Sequence, residues 1–472
     1  MGDYKMTPYI WGIKGLDKLY PDALYEGAVI VVAGHPGSGK TTLAATLCYK
    51  NALLEGNKCM YVTFQESKKK FYRIMRKLGI NLDKMEAHGL FRFIKMPVTQ
   101  DVAGLIDELN NEIIGWNPDI IVIDSVNAVL STVKEENKRD LLQNYFYTLS
   151  DTLNGLVVLV AEIPIGEERI ELDSIEFVAD TVIILKHAIE IGLLTRIMEI
   201  RKARGARITI AEIPFTITHD EGIKAWTPPI LTEIGEPGEP LKPPCRVFEE
   251  ALGSSLRRGQ VVYIETPPEL RHMDMPPLYL GLIARNRLRI HSISYKYSPR
   301  MQKCILRDTL ENMGIKVDES IKVLEDYLTF DALNPFSMGT NELAAEELAK
   351  VEKVNADLVD FHGVELPFLA RRDMRSYIAG LYNQLNLLKR KNKLIIRRGS
   401  YINEDLSRLF STLADTVIKI VPNREGQYYK MYIHVQGRKP AVLYKEEIDS
   451  CIKEVKYYLE EMMKRENPLS KT

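Results

Sequence analysis

Between residues 34 and 42 the chain reads GHPGSGKTT, directly after an apolar run at 28–33. Gly34, Gly39, Lys40 and Thr41 fill the four fixed places of the phosphate-binding loop GxxxxGK(S/T), with His35, Pro36, Gly37 and Ser38 between them and Thr42 behind. The glycines let the backbone turn tightly and bring its N–H groups up to phosphate oxygens. The helix that the spacing predicts over 42–54 adds the positive end of its dipole. In this pattern Lys40 neutralises charge on the terminal phosphates, and the Thr41 hydroxyl ligates Mg²⁺. Asp124 is the second anchor. It closes the apolar run DIIVID, and a carboxylate at the end of a buried strand downstream of such a loop is the expected partner of the metal, acting through a water opposite Thr41. The chemistry implied is the binding of a nucleoside triphosphate with Mg²⁺.

These residues need a frame that holds them. Runs rich in β-branched and aromatic residues predict strands at 58–64, 90–96, 119–124, 156–161, 181–185 and 195–200, with helices at 67–78 and 102–114 and a short amphipathic cap over 9–26. Continuous apolar strands alternating with helices describe an α/β fold with a mostly parallel sheet covered on both faces. A length of 472 residues allows two to three domains. The formal net charge of −1 selects no class of partner. Five scattered cysteines without a CxxC pair argue against a zinc site and against a disulfide scaffold. The apolar runs are too short to span a bilayer and no cationic leader opens the chain, so the expectation is a cytoplasmic protein with no membrane association.

Residues 226–245 are dense in Pro, Gly and Glu, the composition of a stiffened linker. The expected division is a nucleotide-binding domain at 1–226, a linker at 227–245 and a second domain at 246–472. The second domain echoes the first. LRRGQVVYI lies over LYEGAVIVV at a shift of 232 (Gly27 to Gly259), and LADTVIKI over VADTVIIL at a shift of 235 (Ala179 to Ala414). NADLVDFHG lies over NPDIIVIDS at 238 (Asn117 to Asn355). Near-constant shifts in matching order indicate a duplicated fold. The chemistry is not duplicated: Gly34, Gly39, Lys40 and Thr41 map to Thr266, Arg271, His272 and Met273, and Asp124 maps to His362. Basic clusters at Arg371, Arg372 and Arg375, at 389–393, and at Arg397 and Arg398 read as a solvated face, with contact to nucleic acid or acidic protein as the alternative. A helix at 446–463 carries Ile448, Val455, Leu459 and Met462 on one side, a packing stripe.

Residues 9–226 resemble the KaiC-like branch of the RecA-type ATPases. The motifs are GIKGLDKL, VVAGHPGSGKTTLA, YVTFQES, VIDSV, IEFVADTVIIL and KARG…EIPFTIT, in the family's order and at fitting intervals. The resemblance implies tandem RecA-like domains, the second degenerate, and ATP with Mg²⁺ as the ligand of Gly34 to Thr42 and Asp124. It implies that the basic pair of the KxRG segment, here Lys202 and Arg204, reaches the terminal phosphate of a neighbouring subunit, which in turn implies a homo-oligomer such as a hexameric ring. The family places two acidic residues after TF, the first as general base; this chain has Gln65 and Glu66. An amide orients a water but cannot take its proton, so either Glu66 substitutes or hydrolysis is slow. The segment 163–175, which would face a ring's channel, is acidic and weighs against strand binding there, and 131–140 is charge-mixed. The expected function is an ATP-dependent regulatory or scaffold protein with a protein partner and weak ATPase activity, and without autokinase activity in its second domain. The alternative is a nucleic-acid-binding recombination or repair accessory resembling RadA paralogues.

Overall fold

The computed structural model describes residues 8–131, 136–164, 179–190, 192–208, 210–220, 222–226, 233–268, 275–371, 374–422 and 429–466. Residues 269–273, which stand at the place of a second phosphate loop, the position of Arg372, residues 132–135 and most of the segment 163–175 lie outside the described residues. The chain divides into two compact units, residues 1–227 and 228–472.

The first unit is built on nine strands: β1 (Val29–Gly34), β2 (Cys59–Thr63), β3 (Phe91–Lys95), β4 (Ile120–Asp124), β5 (Leu156–Glu162), β6 (Thr181–Glu190), β7 (Leu193–Ala203), β8 (Glu212–Thr218) and β9 (Gly222–Ala225). They lie in the order β3-β2-β4-β5-β1-β6-β7-β8-β9. β3 through β6 in that order are parallel, as the unbroken apolar runs require of strands buried on both faces. Alternation sends Ile30 and Val32 of β1 to one core, with Leu43, Leu47, Tyr61 and Phe71, and sends Val29 and Val31 to the other, with Leu105, Leu109 and Phe146. The last three strands run antiparallel. β6 and β7 are separated by residues 191–192 alone, too short for a parallel crossover, and both extend beyond the segments expected at 181–185 and 195–200.

The second unit repeats this plan with β10 (Val261–Thr266), β11 (Ile290–Ser294), β12 (Leu328–Ala332), β13 (Leu358–His362), β14 (Leu394–Ser400), β15 (Thr416–Pro422), β16 (Tyr429–Val435) and β17 (Ala441–Leu443). Their order is β12-β11-β13-β14-β10-β15-β16-β17, that of the first sheet without its last strand. The registers coincide too. Val29 faces Val157 as Val261 faces Ile395, and Ile30 faces Thr181 as Val262 faces Thr416. One retained side chain has a plain structural use. The Asp180 carboxylate accepts the Val29 N–H at 3.0 Å and Asp415 accepts the Val261 N–H at 2.8 Å, so the aspartate of each ADTV segment pins the start of the central strand. The Pro- and Gly-rich stretch runs against the second unit, with Gly238 and Leu241 donating backbone hydrogen bonds to Arg258 and Leu256.

Two expectations are overturned. Cys48 is bridged to Cys59 and Cys245 to Cys451, because pairing follows proximity in the fold and not spacing in the chain. The basic residues of the second unit are only in part a solvated face: Arg375, Arg390 and Lys391 are exposed, and the other described ones are not. Arg371 and Arg397 are buried, Arg398 is paired with Asp360 at 2.9 Å, and Lys389 is paired with Asp415 at 2.9 Å. The last helix, Lys445–Glu466, buries the expected stripe of Ile448, Val455, Leu459 and Met462, together with Cys451. No helix among the described residues is long and apolar enough to cross a membrane.

Candidate functional site

Parallel strands deliver their carboxyl ends to one edge of the sheet, where ligands of such folds bind. At that edge β1 ends in Gly34, β4 in Asp124 and β5 in Glu162, and β2 leads into Gln65 and Glu66. Gly34 must lack a side chain: a Cβ there would stand 2.4 Å from the Leu185 carbonyl oxygen and 2.7 Å from Ser38 Oγ. Gly39, at φ +108°, turns the chain into the helix Lys40–Lys50. Pro36 and Gly37 are exposed at the tip, while the His35 ring lies with Nδ1 3.1 Å from the Ile163 carbonyl oxygen. Thr42 is buried on the inner side of the helix.

Within the loop, Lys40 is buried and its ammonium donates to the carbonyls of Gly34 (2.8 Å) and His35 (3.0 Å). Burial pushes its pKa down, opposed by the negative charges of Glu162 and Asp124. Ser38 Oγ is fully buried and has no hydrogen-bond partner among the described residues. A buried ammonium on carbonyls, an orphaned hydroxyl and a loop that excludes a Cβ fit a phosphate chain. Thr41 Oγ1 donates to Asp124 Oδ2 at 2.8 Å, so the two residues expected to share Mg²⁺ are already in contact. The same carboxylate oxygen accepts the Tyr61 hydroxyl at 2.5 Å. Burial raises the Asp124 pKa; the hydrogen bonds from Tyr61 and Thr41 and the charge of Lys40 act the other way, and Glu162 adds to the rise.

Tyr61 and Glu162 are members of this site that the sequence reading missed. Glu162 lies directly opposite Gly34 in the register of β5 on β1. Its backbone is held by the Asn127 side chain, which accepts the Glu162 N–H at 2.7 Å and donates to its carbonyl at 3.3 Å. The signal was available: VAE ends a buried strand in a carboxylate just as VID does. Tyr61 carried no comparable mark.

Thr63 Oγ1 accepts the N–H groups of both Gln65 and Glu66 at 3.4 Å. Gln65 is exposed. Glu66 is half-buried; Oε1 accepts from Lys70 at 2.9 Å, and Oε2 is buried without a partner among the described residues. Burial raises the Tyr61 phenol pKa well above its ordinary value, and the charges of Asp124 and Glu66 add to that. Lys202 and Arg204 are elsewhere. Lys202 pairs with Val182 at the start of β6, and Arg204 is bound to Asp180 at 2.9 Å, beside the opening of β1. Arg204 thus sits at the opposite end of the sheet from Gly34, roughly 17 Å away along a strand of this length, whereas Lys202 stands level with Val31 in the middle of β1, two strands across. They do not meet the phosphate loop of their own chain.

The second unit keeps the scaffold of this site with other side chains. Ser294 stands where Thr63 does and accepts the N–H groups of Lys296 (3.2 Å) and Tyr297 (2.9 Å), in the places of Gln65 and Glu66. His362 ends β13 where Asp124 ends β4, with Nδ1 3.0 Å from Ser294 Oγ, and Thr266 ends β10 in the place of Gly34.

Comparison with known proteins agrees with this geometry. The family model of the KaiC ATPase matches residues 10–229. The circadian clock oscillator protein KaiC of Parathermosynechococcus lividus is 23% identical over 252 residues, covering 53% of this chain and 43% of that protein. The KaiC of Prochlorococcus marinus (strain MIT 9313) is 30% identical over 224 residues, 44% of each chain. The circadian clock protein KaiC3 of Synechocystis sp. is 27% identical over 226 residues, 45% of this chain and 44% of the relative. The chain thus spans less than half the length of the relatives it matches.

Proposed function

We propose that this chain, which belongs through residues 10–229 to the KaiC-like RecA-type ATPases, is an ATP-binding regulatory protein whose first domain works as a nucleotide-dependent switch. The observation that carries this reading is the contact of Thr41 with Asp124 at 2.8 Å beside the buried Lys40 and the orphaned Ser38 hydroxyl. The loop Gly34 to Thr42 holds ATP, and Thr41 with Asp124 holds Mg²⁺, which when bound neutralises phosphate charge. Glu66 takes the proton of the attacking water, while Gln65 contributes at most an orienting hydrogen bond. Hydrolysis is slow, since Glu66 is drawn partly toward Lys70.

Lys202 and Arg204 serve a neighbouring subunit's nucleotide, which makes the working form a homo-oligomeric ring stabilised by ATP. This is supported by the place of Arg204 at the far end of the sheet from its own phosphate loop, with Lys202 two strands across from β1. The second domain supplies recognition without nucleotide chemistry, a reading supported by Thr266 and His362 in the places of Gly34 and Asp124. The test is equilibrium binding of labelled ATP to wild type and to Lys40→Ala. The variant is expected to lose binding, and undiminished affinity would remove the basis of the proposal.

A further inference from the structure

In the first domain the space between β2, β3 and the helix Lys68–Lys77 is filled by aromatic rings. Tyr61 lies 4.7 Å from Phe71 and 6.2 Å from Phe93, centroid to centroid. The second domain keeps the elements and removes two of those rings. Tyr61 faces Phe93 and Val122 in its sheet, and Ser292 faces Phe330 and Asp360 in the corresponding register. Phe71 is the fourth residue of its helix, and Gln302 is the fourth residue of Pro299–Asn312. Phe330 remains in the place of Phe93. Where the two rings are lost, a cavity of about 70 Å³ stands open. One water takes roughly 10–15 Å³ on this measure, so the space holds on the order of five waters, or one small ring system.

The lining states what would fill it. Most of the wall is apolar, from Leu280, Leu306, Phe330 and their neighbours. At the polar end, Asp360 and Arg398 neutralise each other through bonds at 2.9 to 3.2 Å, and Ser292 and Tyr279 donate to the same carboxylate at 2.7 and 3.0 Å. A neutralised pair favours neither a cation nor an anion. Gln302 supplies the unmet need. Its amide nitrogen donates to the carbonyls of Tyr297 (3.3 Å) and Asp331 (2.9 Å), which fixes the amide's orientation. Its Oε1 is buried without a partner among the described residues, although Gln302 is only 6% exposed. A buried acceptor left unpaired is costly, and a donor brought by a ligand removes that cost.

We propose that this cavity is a binding site for a small, neutral heteroaromatic molecule whose ring N–H donates to Gln302 Oε1. The molecule takes the place of the two rings that the first domain packs there, and its flat faces lie between the sheet and the helix. The site is distinct from the phosphate loop and stands whether or not the first domain hydrolyses ATP. It gives the second domain something to sense, directly beneath the strand end where the first domain carries its metal-binding carboxylate.

Indole is a suitable probe, with 1-methylindole as its isostere lacking the donor. Titration of the full-length chain, followed by calorimetry, is expected to show saturable one-to-one binding of indole, with 1-methylindole weaker by about 10-fold. Ser292→Tyr returns the missing ring and is expected to abolish binding. Gln302→Leu is expected to bring indole down to the affinity of 1-methylindole. Retained ATP binding and an unchanged thermal transition verify that both variants fold. Absence of saturable indole binding up to its solubility overturns the proposal. Equal binding of indole and 1-methylindole, or an indole affinity unaffected by Gln302→Leu, overturns it as well, and the last holds even if Ser292→Tyr fails to fold.

Discussion

Tyr61→Phe isolates the least visible member of the nucleotide site. The ring is fully buried against Phe71 and Phe93, so phenylalanine keeps the packing and removes one atom. That atom donates to Asp124 Oδ2 at 2.5 Å, the oxygen that also accepts from Thr41. A hydrogen bond to a charged group contributes about 1.5–3 kcal/mol, which at 1.4 kcal/mol per decade is roughly 10- to 150-fold. Groups that orient a metal's ligands typically change affinity about 10- to 100-fold. The expected result is therefore a loss of Mg²⁺ affinity by about 10- to 100-fold, with metal-free ATP binding little changed. The pH dependence has a definite sign. Burial raises the Asp124 pKa and the Tyr61 bond lowers it, so removing the bond raises it further. The ionised carboxylate serves the metal, hence Mg²⁺-dependent binding falls as pH drops through that pKa, and in the variant the fall begins at higher pH. Titrating Mg²⁺ into protein with labelled ATP across a pH series measures both effects, with a thermal melt to confirm folding. A half-saturation within about twofold of wild type, with the same pH profile, would refute the role assigned to Tyr61.

Three further outcomes are expected. Glu66→Gln should lower ATP turnover by about 10²- to 10⁴-fold, the usual contribution of a general base, while Gln65→Glu changes it little; the reverse pattern in a phosphate-release assay would move the base to position 65. Equilibrium dialysis should find one ATP per chain and none left in Lys40→Ala, and a stoichiometry near two would contradict the reading of the second domain. Burial holds the His291 pKa below its ordinary value of 6.5, opposed by Asp331. Its stabilising contribution is thus complete above that value and lost as pH falls through it toward the folded pKa. Thermal melts should show the second domain weakening on acidification and His291→Gln flattening the slope; an unchanged slope would count against it.

The readable parts of the sequence were those whose meaning is local. The phosphate loop carries its geometry in nine consecutive residues, and the parallel strands announce themselves as apolar runs because both faces are buried. The duplication was readable because the shifts of 232, 235 and 238 survive as equal strand registers. What escaped depends on partners distant in the chain. Tyr61 acquires its role from a carboxylate 63 residues on. Arg397 and Arg398 read as surface charge although the run Leu394-Ile395-Ile396 precedes them, because the Asp360 that neutralises Arg398 is 38 residues away. That Gln65 is exposed while Glu66 is half-buried depends on β2 stopping at Thr63, whose hydroxyl accepts both backbone N–H groups.

The bond between Cys245 and Cys451 spans 206 residues, from the residue that caps the helix Arg246–Leu252 to the second turn of the final helix. Nearly all of the second domain is therefore a closed circle of chain, with the rest of the polypeptide attached as two tails. A protease that cuts one exposed turn inside the circle opens it without releasing a fragment, and the nick becomes visible only after reduction. New chain ends introduced at such a turn would likewise leave every strand of the domain covalently joined, so the oxidised domain offers itself to circular permutation in a way that the first domain, whose bridge from Cys48 to Cys59 spans 11 residues, does not.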